Sequence, residues 1–231
     1  TEKPVLGVTE VSEYFGLYKS TVHNILSTLK AMEYLEQDEE TGKYRLGIQI
    51  FNLSKALGDT YSITKIAGPY MQELSNYTGE RCYLAVPYRQ EVLYLDAMYP
   101  ADSIELMRSI LGERAQMHCT GLGKAMLANM GEREISDYLE HHKLEAFTEN
   151  SIIDKKQFRE ELLRTKQRGY ALDDMEHEFG IKCIAMPVFD RTKNVYAAIS
   201  ISGMANHFTD ANIAEWAMLL KKYIRKIESR L

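Results

Sequence analysis

The sequence predicts an α+β protein: an N-terminal winged helix-turn-helix, a linker helix, and a larger domain whose mainly antiparallel sheet is flanked by helices. Two short helical patterns and a β-hairpin follow one another within the first 47 residues. Another helical pattern comes next, and the remaining chain combines strand pairs with helices. We therefore place a first domain at residues 1–47, a linker helix at 48–59 and a second domain at 60–231.

The composition is that of an ordinary globular protein, with 231 residues, 45% apolar residues and a net charge of −5. No apolar run approaches the roughly 20 residues of a membrane-spanning helix, and residues 1–20 contain no signal-type apolar core. Three widely spaced cysteines without any CxxC indicate reduced thiols rather than a disulfide framework or a zinc ribbon. We expect a cytoplasmic protein with no membrane partner.

The first two helices are predicted from their caps and apolar spacing. Thr9 is the expected N-cap of a helix that ends at Gly16. A second helix starts near Ser20, with apolar residues at helical spacing: Val22, Ile25, Leu26, Leu29 and Met32. One face of this second helix should therefore be packed, and its other face should be polar and open to solvent.

The segment "EYLEQDEETGKYRLG" predicts two short strands joined by a turn at Glu40-Thr41-Gly42. A helix-turn-helix followed by a hairpin indicates a winged helix, in which the second helix can enter the DNA major groove. Ser20 and Thr21 can donate to phosphate, and Asn24 has the amide geometry that recognises adenine. The candidate DNA-contact residues are Tyr18, Lys19, Ser20, Thr21, His23, Asn24 and Thr28, with Lys43 and Arg45 on the wing.

The net charge of the N-terminal region argues against strong DNA binding by a single winged helix-turn-helix domain, or head. Residues 1–57 contain six basic and eight acidic residues, a net charge of −2, and affinity for DNA depends strongly on phosphate neutralisation. The window from Tyr18 to Ala31, however, contains Lys19 and Lys30 and no acid. We expect two or more heads to act together in an oligomer. The alternative is a helical module that serves only protein binding or dimerisation.

The helices and strands of the larger domain are predicted from helix-breaking residues, helix caps and the alternation of apolar and polar residues. Helices are predicted at Ile48–Leu57 before a Gly58-Asp59 turn, at Ser62–Thr78 before Gly79, at 132–141, at Lys155–Arg168 between Asp154 and Gly169, and from Asp210 to Arg230 after the cap Thr209. Strands are predicted on both sides of Arg89-Gln90, and in "IKCIAMPVFD" and "VYAAISISG" around the turn "RTKN". "TGLGKAMLANM" indicates a glycine-rich loop that enters a helix.

The stretch "DDMEHEFGIKCIA" places four carboxylates, a histidine and a cysteine close together. Cys183 with His177 and an acid would suit an enzyme nucleophile, and this is the alternative function. The thiol stands between Ile181 and Ile184 in a strand-like run, where cysteines are usually buried and inert, so no catalytic residue is predicted. We expect Asp174, Glu176 and Glu178 to form a solvated turn that leads into the strand.

Several segments together resemble a known family. "VTEVSEYFGLYKSTVHNILSTLKAMEYLEQDEETGKYRLG" resembles the winged-helix head of the IclR family of bacterial transcriptional regulators. "HCTGLGKAMLA", "GYALDDMEHEFGIKCIAMPVFD" and "AAISISG" resemble its effector-binding domain. The resemblance implies a ligand-responsive regulator, a repressor of a catabolic operon, that binds operator DNA as a dimer or a dimer of dimers. The family's first helix is absent before Thr9, and Asn24 stands where many members have arginine.

The resemblance also implies a GAF-like second domain that holds a small organic acid. The implied effector contacts are Gly121, Leu122, Asp173, Cys183, Ser200 and Ser202, with apolar walls from Ile104, Met107 and Ile181. Ser200 and Ser202 are two apart on a strand and so share a face, and the start of the "TGLGK" helix suits an anion.

Asp173 restricts which acids can bind in this pocket. An acid beside Asp173 must bring a hydrogen-bond donor, which favours a sugar acid, 2-oxo acid or hydroxy acid. Some members of the family hold zinc in this pocket. His118, Cys119, His177 and Cys183 have no dedicated ligand spacing here, so no metal cofactor is predicted.

Overall fold

The computed structural model describes residues 5–60, 63–102 and 110–231, with residues 56–60 described by their backbone alone. The chain divides into two compact units, one ending at residue 62 and the other beginning at Ile63. Within the described ranges, no helix is long and apolar enough to cross a membrane.

The described residues of the first unit form three helices and a two-stranded hairpin. These are α1 (Val8–Phe15), α2 (Lys19–Ala31), β1 (Leu35–Gln37), β2 (Tyr44–Leu46) and α3 (Gln49–Thr60). Val22, Leu26 and Tyr44 form a small core on which Val8 and Val11 pack. Gly16 ends α1 in the left-handed conformation, and Asp38 accepts hydrogen bonds from the backbone and hydroxyl of Thr41 in the hairpin turn. The winged helix-turn-helix prediction is therefore confirmed.

Three details of this unit differ from the prediction. Gly7, not Thr9, caps α1, and its N–H donates to Oε2 of Glu10 at 2.9 Å. Ile25 and Met32, which were expected to face the core, are 48% and 54% exposed and lie outside the small core of Val22, Leu26 and Tyr44. The expected turn at Gly58-Asp59 is absent: α3 continues to Thr60, since a single glycine costs a helix only about 1 kcal/mol.

In residues 63–102 and 110–231, the second unit is built on one six-stranded sheet in which every neighbouring pair is antiparallel. Its strands are β3 (Arg81–Tyr88), β4 (Glu91–Met98), β5 (Arg114–Gln116), β6 (Ala171–Asp174), β7 (Ile181–Phe189) and β8 (Val195–Met204), in the spatial order β5-β4-β3-β8-β7-β6. Its helices are α4 (Ile63–Thr78), α5 (Gly121–Leu127), α6 (Glu132–His141), α7 (Lys155–Arg168) and α8 (Asp210–Glu228).

Helices cover both faces of this sheet. Apolar residues of α4 and α8, including Met71, Leu74, Leu220 and Ile224, form one core with strand residues such as Ile199. A second core joins α5, α6 and α7 to the opposite face, where the strands present Ala85, Ala185 and Ala198. These three small side chains let α5 approach the sheet closely. The α+β architecture with an antiparallel sheet is confirmed.

Local signals located most of these elements correctly. Arg89 and Gln90 both have positive φ, as a two-residue turn between twisted strands requires. Asp154 accepts from the N–H groups of Lys156 and Gln157 at 3.0 and 2.8 Å, and Gly169 ends α7. The short strands β5 and β6 were not predicted, since three or four residues carry too little alternation to be recognised.

Candidate DNA-contact and effector sites

The DNA-contact candidates of the second helix lie together on its solvent face. Tyr18 is the N-cap of α2, and Lys19, Ser20, Thr21, His23, Asn24 and Thr28 are all exposed, whereas Val22 and Leu26 on the other face are buried. Thr28 Oγ1 donates to the backbone oxygen of Asn24 at 2.9 Å, so its hydroxyl is engaged within the helix. The face is open and polar, and its contact with DNA stays a prediction.

The two basic residues of the wing are paired with carboxylates. Lys43 Nζ lies 3.6 Å from Oε2 of Glu10, and Arg45 Nη2 lies 2.8 Å from Oε2 of Glu36. The Arg45–Glu36 pair is exposed and the Lys43–Glu10 pair is partly exposed, and solvent-accessible ion pairs contribute on the order of 1 kcal/mol or less. Exchanging these carboxylates for DNA phosphates would therefore cost little.

In the second unit, the effector candidates that the structure describes surround one cavity of about 180 Å³. Its lining includes Gly121, Leu122, Asp173, Ile181, Cys183, Ser200 and Ser202. Ile104 and Met107 lie outside the described residues. The structure thus brings together seven residues from three separate segments of the chain, and their role in binding an effector stays a prediction.

The sheet register explains why these side chains meet. Asp173 on β6 is paired with Cys183 on β7, Cys183 with Ser202 on β8, and Ser202 with Arg81 on β3. In-register partners lie on the same face of a sheet, so these four residues form a continuous line across four strands. We call Asp173, Cys183, Ser202 and Arg81 the polar row.

The neighbouring row contributes a buried hydroxyl without a partner. Ser200 is paired with Ala185 on β7 and Tyr83 on β3. It is fully buried, and its Oγ meets no partner at hydrogen-bonding geometry among the described residues. The Ser200 hydroxyl partly offsets the rise in the pKa of the nearby Cys183 thiol. Sulfur accepts hydrogen bonds only weakly, so a ligand oxygen that bonds Ser200 would add a stronger hydrogen bond, worth about 1 kcal/mol.

The sequence analysis missed several residues that line the cavity. They include Arg81, Tyr83, Tyr94, Glu113, Arg114 and Thr120. The rings of Tyr83 and Tyr94 meet edge to face at 5.7 Å and form an aromatic wall. Alternation along β3 could have indicated Arg81 and Tyr83, since Cys82 and Leu84 alternate with them and are buried on the opposite face. Tyr94 depends on the pairing of β3 with β4, which no local signal reveals.

The start of α5 is less open than the glycine-rich loop suggested. Thr120 Oγ1 caps the helix by accepting from Gly123 N at 3.1 Å, and the helix is only seven residues long. A Cβ on Gly121 would lie 2.8 Å from the sulfur of Cys183, so only glycine fits between the helix and β7. Anion binding by these backbone groups stays a prediction.

His177 contacts the thiol of Cys119 and not that of Cys183, which was the candidate nucleophile. His177 Nδ1 lies 3.5 Å from the sulfur of Cys119, not beside Cys183. Burial raises the pKa of Cys119 to about 12, and burial together with the nearby Asp173 carboxyl raises the pKa of Cys183 far above neutral. Both thiols are therefore protonated at neutral pH, whereas nucleophilic attack requires the thiolate. In the described part of the chain, no three His, Cys, Asp or Glu side chains converge on a metal-sized site.

Glu176 corrects one of our predictions. We expected a solvated turn residue, but Glu176 is 5% exposed and forms an ion pair with the fully buried Lys124 of α5. Lys124 also donates to the backbone oxygen of Leu172. The sequence separation of 52 residues hid this pair from local pattern analysis. Asp174 is partly buried and pairs with Lys182 at 2.8 Å, whereas Glu178 is exposed as expected.

Asp173 lies beside this ion pair at the end of the polar row. Its Oδ1 accepts a hydrogen bond from Glu176 N at 2.8 Å. Burial raises the pKa of Asp173 to about 7, the Glu176 carboxylate adds to that rise, and the Lys124 ammonium opposes it. The carboxyl group can therefore be either protonated or ionised near neutral pH.

This raised pKa predicts a pH-dependent stability. Between the ordinary value of 3.8 and about 7, the unfolded chain releases a proton that folded Asp173 retains, so stability falls as pH rises through that window. We expect Asp173→Asn to remove up to about 4 kcal/mol of this decline, as measured by urea unfolding at pH 4.5, 6 and 7.5. Asp174→Asn, whose half-exposed carboxylate pairs with Lys182, is the matched control. Parallel pH profiles for wild type and Asp173→Asn would contradict the prediction.

Comparison with known proteins gives matches over both units. The family model described as "Bacterial transcriptional regulator IclR C-terminal" matches residues 55–229, and "IclR helix-turn-helix domain" matches residues 1–39. The HTH-type transcriptional regulator XynR of Escherichia coli is 32% identical over 94% of this chain and 86% of its own length. The HTH-type transcriptional regulator KdgR of E. coli is 31% identical over 100% of this chain and 87% of its own length.

Solved structures agree with these matches. The crystal structure of Thermotoga maritima IclR is 29% identical, covers 99% of this chain and 92% of its own, and has a TM-score of 0.80. An IclR homolog from Microbacterium hydrocarbonoxydans, complexed with 4-hydroxybenzoate, shares the fold with a TM-score of 0.87 at 21% identity, over 99% and 92% of the two chains.

Proposed function

The chain belongs to the IclR family of bacterial transcriptional regulators, and from this premise we propose that it represses a catabolic operon under the control of a small organic acid. Its relatives are regulators and not enzymes, and they include the E. coli transcriptional repressor IclR, 29% identical over 96% of this chain. We assign operator binding to residues 1–47, a linker to residues 48–59 and effector binding to residues 60–231.

The observation that supports an effector most directly is the cavity around the polar row. It combines a buried hydroxyl lacking a partner, a second serine and a carboxyl group with an aromatic wall. Ligand sites typically combine an apolar wall with a few convergent polar groups in this way. The fold also holds a hydroxylated aromatic acid in the M. hydrocarbonoxydans protein. A hydroxy acid, sugar acid or 2-oxo acid suits the donors and acceptors of this cavity.

On the DNA side, we propose that the exposed face of α2 enters the major groove and that Asn24 contacts a base. Lys19, Ser20 and Thr21 at the start of the helix would contact phosphate, and Lys43 and Arg45 would follow on the wing. The first 57 residues have a net charge of −2, so a single head should bind DNA weakly. We therefore propose a homodimer or a dimer of dimers that places several heads on one operator.

Titration of a labelled fragment from upstream of the regulated operon tests this function. We expect salt-dependent, sequence-specific binding, weakened about 10- to 100-fold by Asn24→Ala because a good bidentate base contact contributes roughly 1–3 kcal/mol. Lys19→Ala should lower affinity for all DNA sequences alike and reduce the salt slope by about 1. Asn76→Ala, an exposed asparagine of the second unit, is the control.

The same titration includes the effector. A panel of organic acids should contain at least one that changes operator affinity, and by linkage the operator must change the affinity for that acid by the same factor. Absence of sequence-specific binding would contradict the DNA assignment. Specific binding that no acid affects would contradict the effector assignment.

A further inference from the structure

The polar row has opposite charges at its two ends, and this suggests how a ligand is oriented. Asp173 lies at the β6 end and Arg81 at the β3 end, with Cys183 and Ser202 between them. Three strand spacings of roughly 4.8 Å separate the end residues, so the row is about 14 Å wide at the backbone. All four side chains line the cavity.

Arg81 faces the cavity rather than the exterior of the domain. Burial raises the pKa of the Tyr83 hydroxyl and the Arg81 guanidinium opposes that rise, so the guanidinium acts on a residue whose ring forms part of the aromatic wall. The other lining guanidinium, that of Arg114, lies 3.3 Å from Glu91 and 4.9 Å from the ring centre of Tyr88, near the far end of β3. Lys124 is bound to Glu176 and does not line the cavity. Among the described residues, Arg81 is therefore the cation aligned with the row.

The charge balance of the cavity requires such a cation if an acid is to bind. Three carboxyl groups line the cavity, those of Glu113, Asp173 and Glu178. An anionic ligand placed near them without compensation would meet like charge in a partly buried site. Arginine presents a planar set of donors that matches a carboxylate, and a bond between two charged groups is stronger than one between neutral groups.

We propose, on the basis of the function proposed above, that Arg81 binds the carboxylate of the effector while Asp173 accepts a hydroxyl from its other end. The effector is then an extended hydroxy acid that lies across the strands and bonds Ser200 and Ser202 along its length. A two- or three-carbon acid is too short to engage both ends of the row at once. This orientation makes Arg81 a specificity-determining residue of the site.

The experiment measures binding by isothermal titration calorimetry with the full chain. The probes are erythronate, ribonate and gluconate as extended hydroxy acids, the amides of these three acids as uncharged analogues, hexanoate as an analogue without hydroxyls, and glycolate and lactate as short acids. Wild type should bind at least one extended hydroxy acid about 10- to 100-fold more tightly than its amide, because the charged contact is lost in the amide.

Two variants should each remove one kind of discrimination. Arg81→Met retains the apolar stem of the side chain and should lower the preference for acid over amide to less than threefold. Asp173→Asn should reduce the preference for the hydroxy acid over hexanoate. Arg133→Met, at an exposed arginine of α6 that does not line the cavity, is the matched control and should leave both preferences unchanged. Ratios between ligands are measured on one variant at a time, so a change in folding stability does not imitate the result.

The outcomes separate this inference from the function on which it rests. If acids bind wild type, Ser200→Ala weakens them and Arg81→Met has no effect, the cavity is an effector site but our orientation is wrong. If only glycolate or lactate binds, and equally well to Arg81→Met, the extended ligand is wrong as well. If no acid of any length binds, the proposed effector function itself fails.

Discussion

Lys124→Met should destabilise the second unit by about 3–5 kcal/mol, because it leaves the Glu176 carboxylate buried without its counter-ion. Lys124 is fully buried, and Glu176 is 5% exposed. Burial raises the pKa of Glu176, and the Lys124 ammonium opposes that rise. Methionine fills similar space but cannot pair with the carboxylate, nor can it donate to the backbone oxygen of Leu172.

Urea unfolding monitored by the fluorescence of the single tryptophan, Trp216, measures this loss. The matched variant is the double replacement of Lys124 and Glu176 by methionine. Removing both charges of a buried pair is often close to neutral, so the double variant should recover most of the lost stability. A Lys124→Met variant within about 1 kcal/mol of wild type would show that water reaches this pair and that its burial has little energetic consequence.

Gly123→Ala should cost about 3 kcal/mol or more, at the upper end of the range for overpacked cores. A Cβ at this position would lie 2.3 Å from both the Cα and the backbone oxygen of Met117. The atoms that it meets are backbone rather than the flexible end of a side chain, so α5 would have to move away from them. Gly121 and Leu122 would move with the helix, and we expect the variant to lose acid binding as well.

Gly131→Ala is the control for the Gly123→Ala variant. Its Cβ would meet Oε2 of Glu134 at 3.1 Å, the far end of a flexible side chain, and its backbone conformation suits alanine. We expect a change within about 1 kcal/mol and unchanged acid binding. Equal stability of Gly123→Ala and Gly131→Ala would mean that α5 can shift without cost, and it would contradict the close packing of α5 on the sheet.

Local sequence signals predicted the elements that local physics controls. Gly16, Gly79 and Gly169 end helices in the left-handed conformation, and Asp154 and Thr209 cap the helices that follow them. The turn at Arg89-Gln90 and the two apolar strands β7 and β8 were equally clear. These features depend on a few adjacent residues, so a single sequence carries enough information to locate them.

The effector candidates illustrate a second kind of prediction. Ser200 and Ser202 share a face because of strand alternation, which a sequence shows directly. The prediction that they lie near Asp173, Cys183 and Gly121 came from the resemblance to a family and not from spacing in the sequence. The cavity that surrounds them supports the grouping, while the binding role awaits the acid titrations.

The chain's order of helices and strands, most of its caps and the polar face of α2 were accessible from sequence, because each depends on contacts within a few residues. The Lys124–Glu176 ion pair, the orphaned Ser200 hydroxyl and the alignment of Asp173 with Arg81 were not. Each depends on the register between strands or on how closely α5 approaches the sheet, which packing of the whole domain sets. Glu176 lies in a polar stretch that looks solvated, and its burial follows from the position of a lysine 52 residues away. The partners of these polar residues lie far away in the sequence and come close only when the domain folds, so their chemistry is visible only in the tertiary structure.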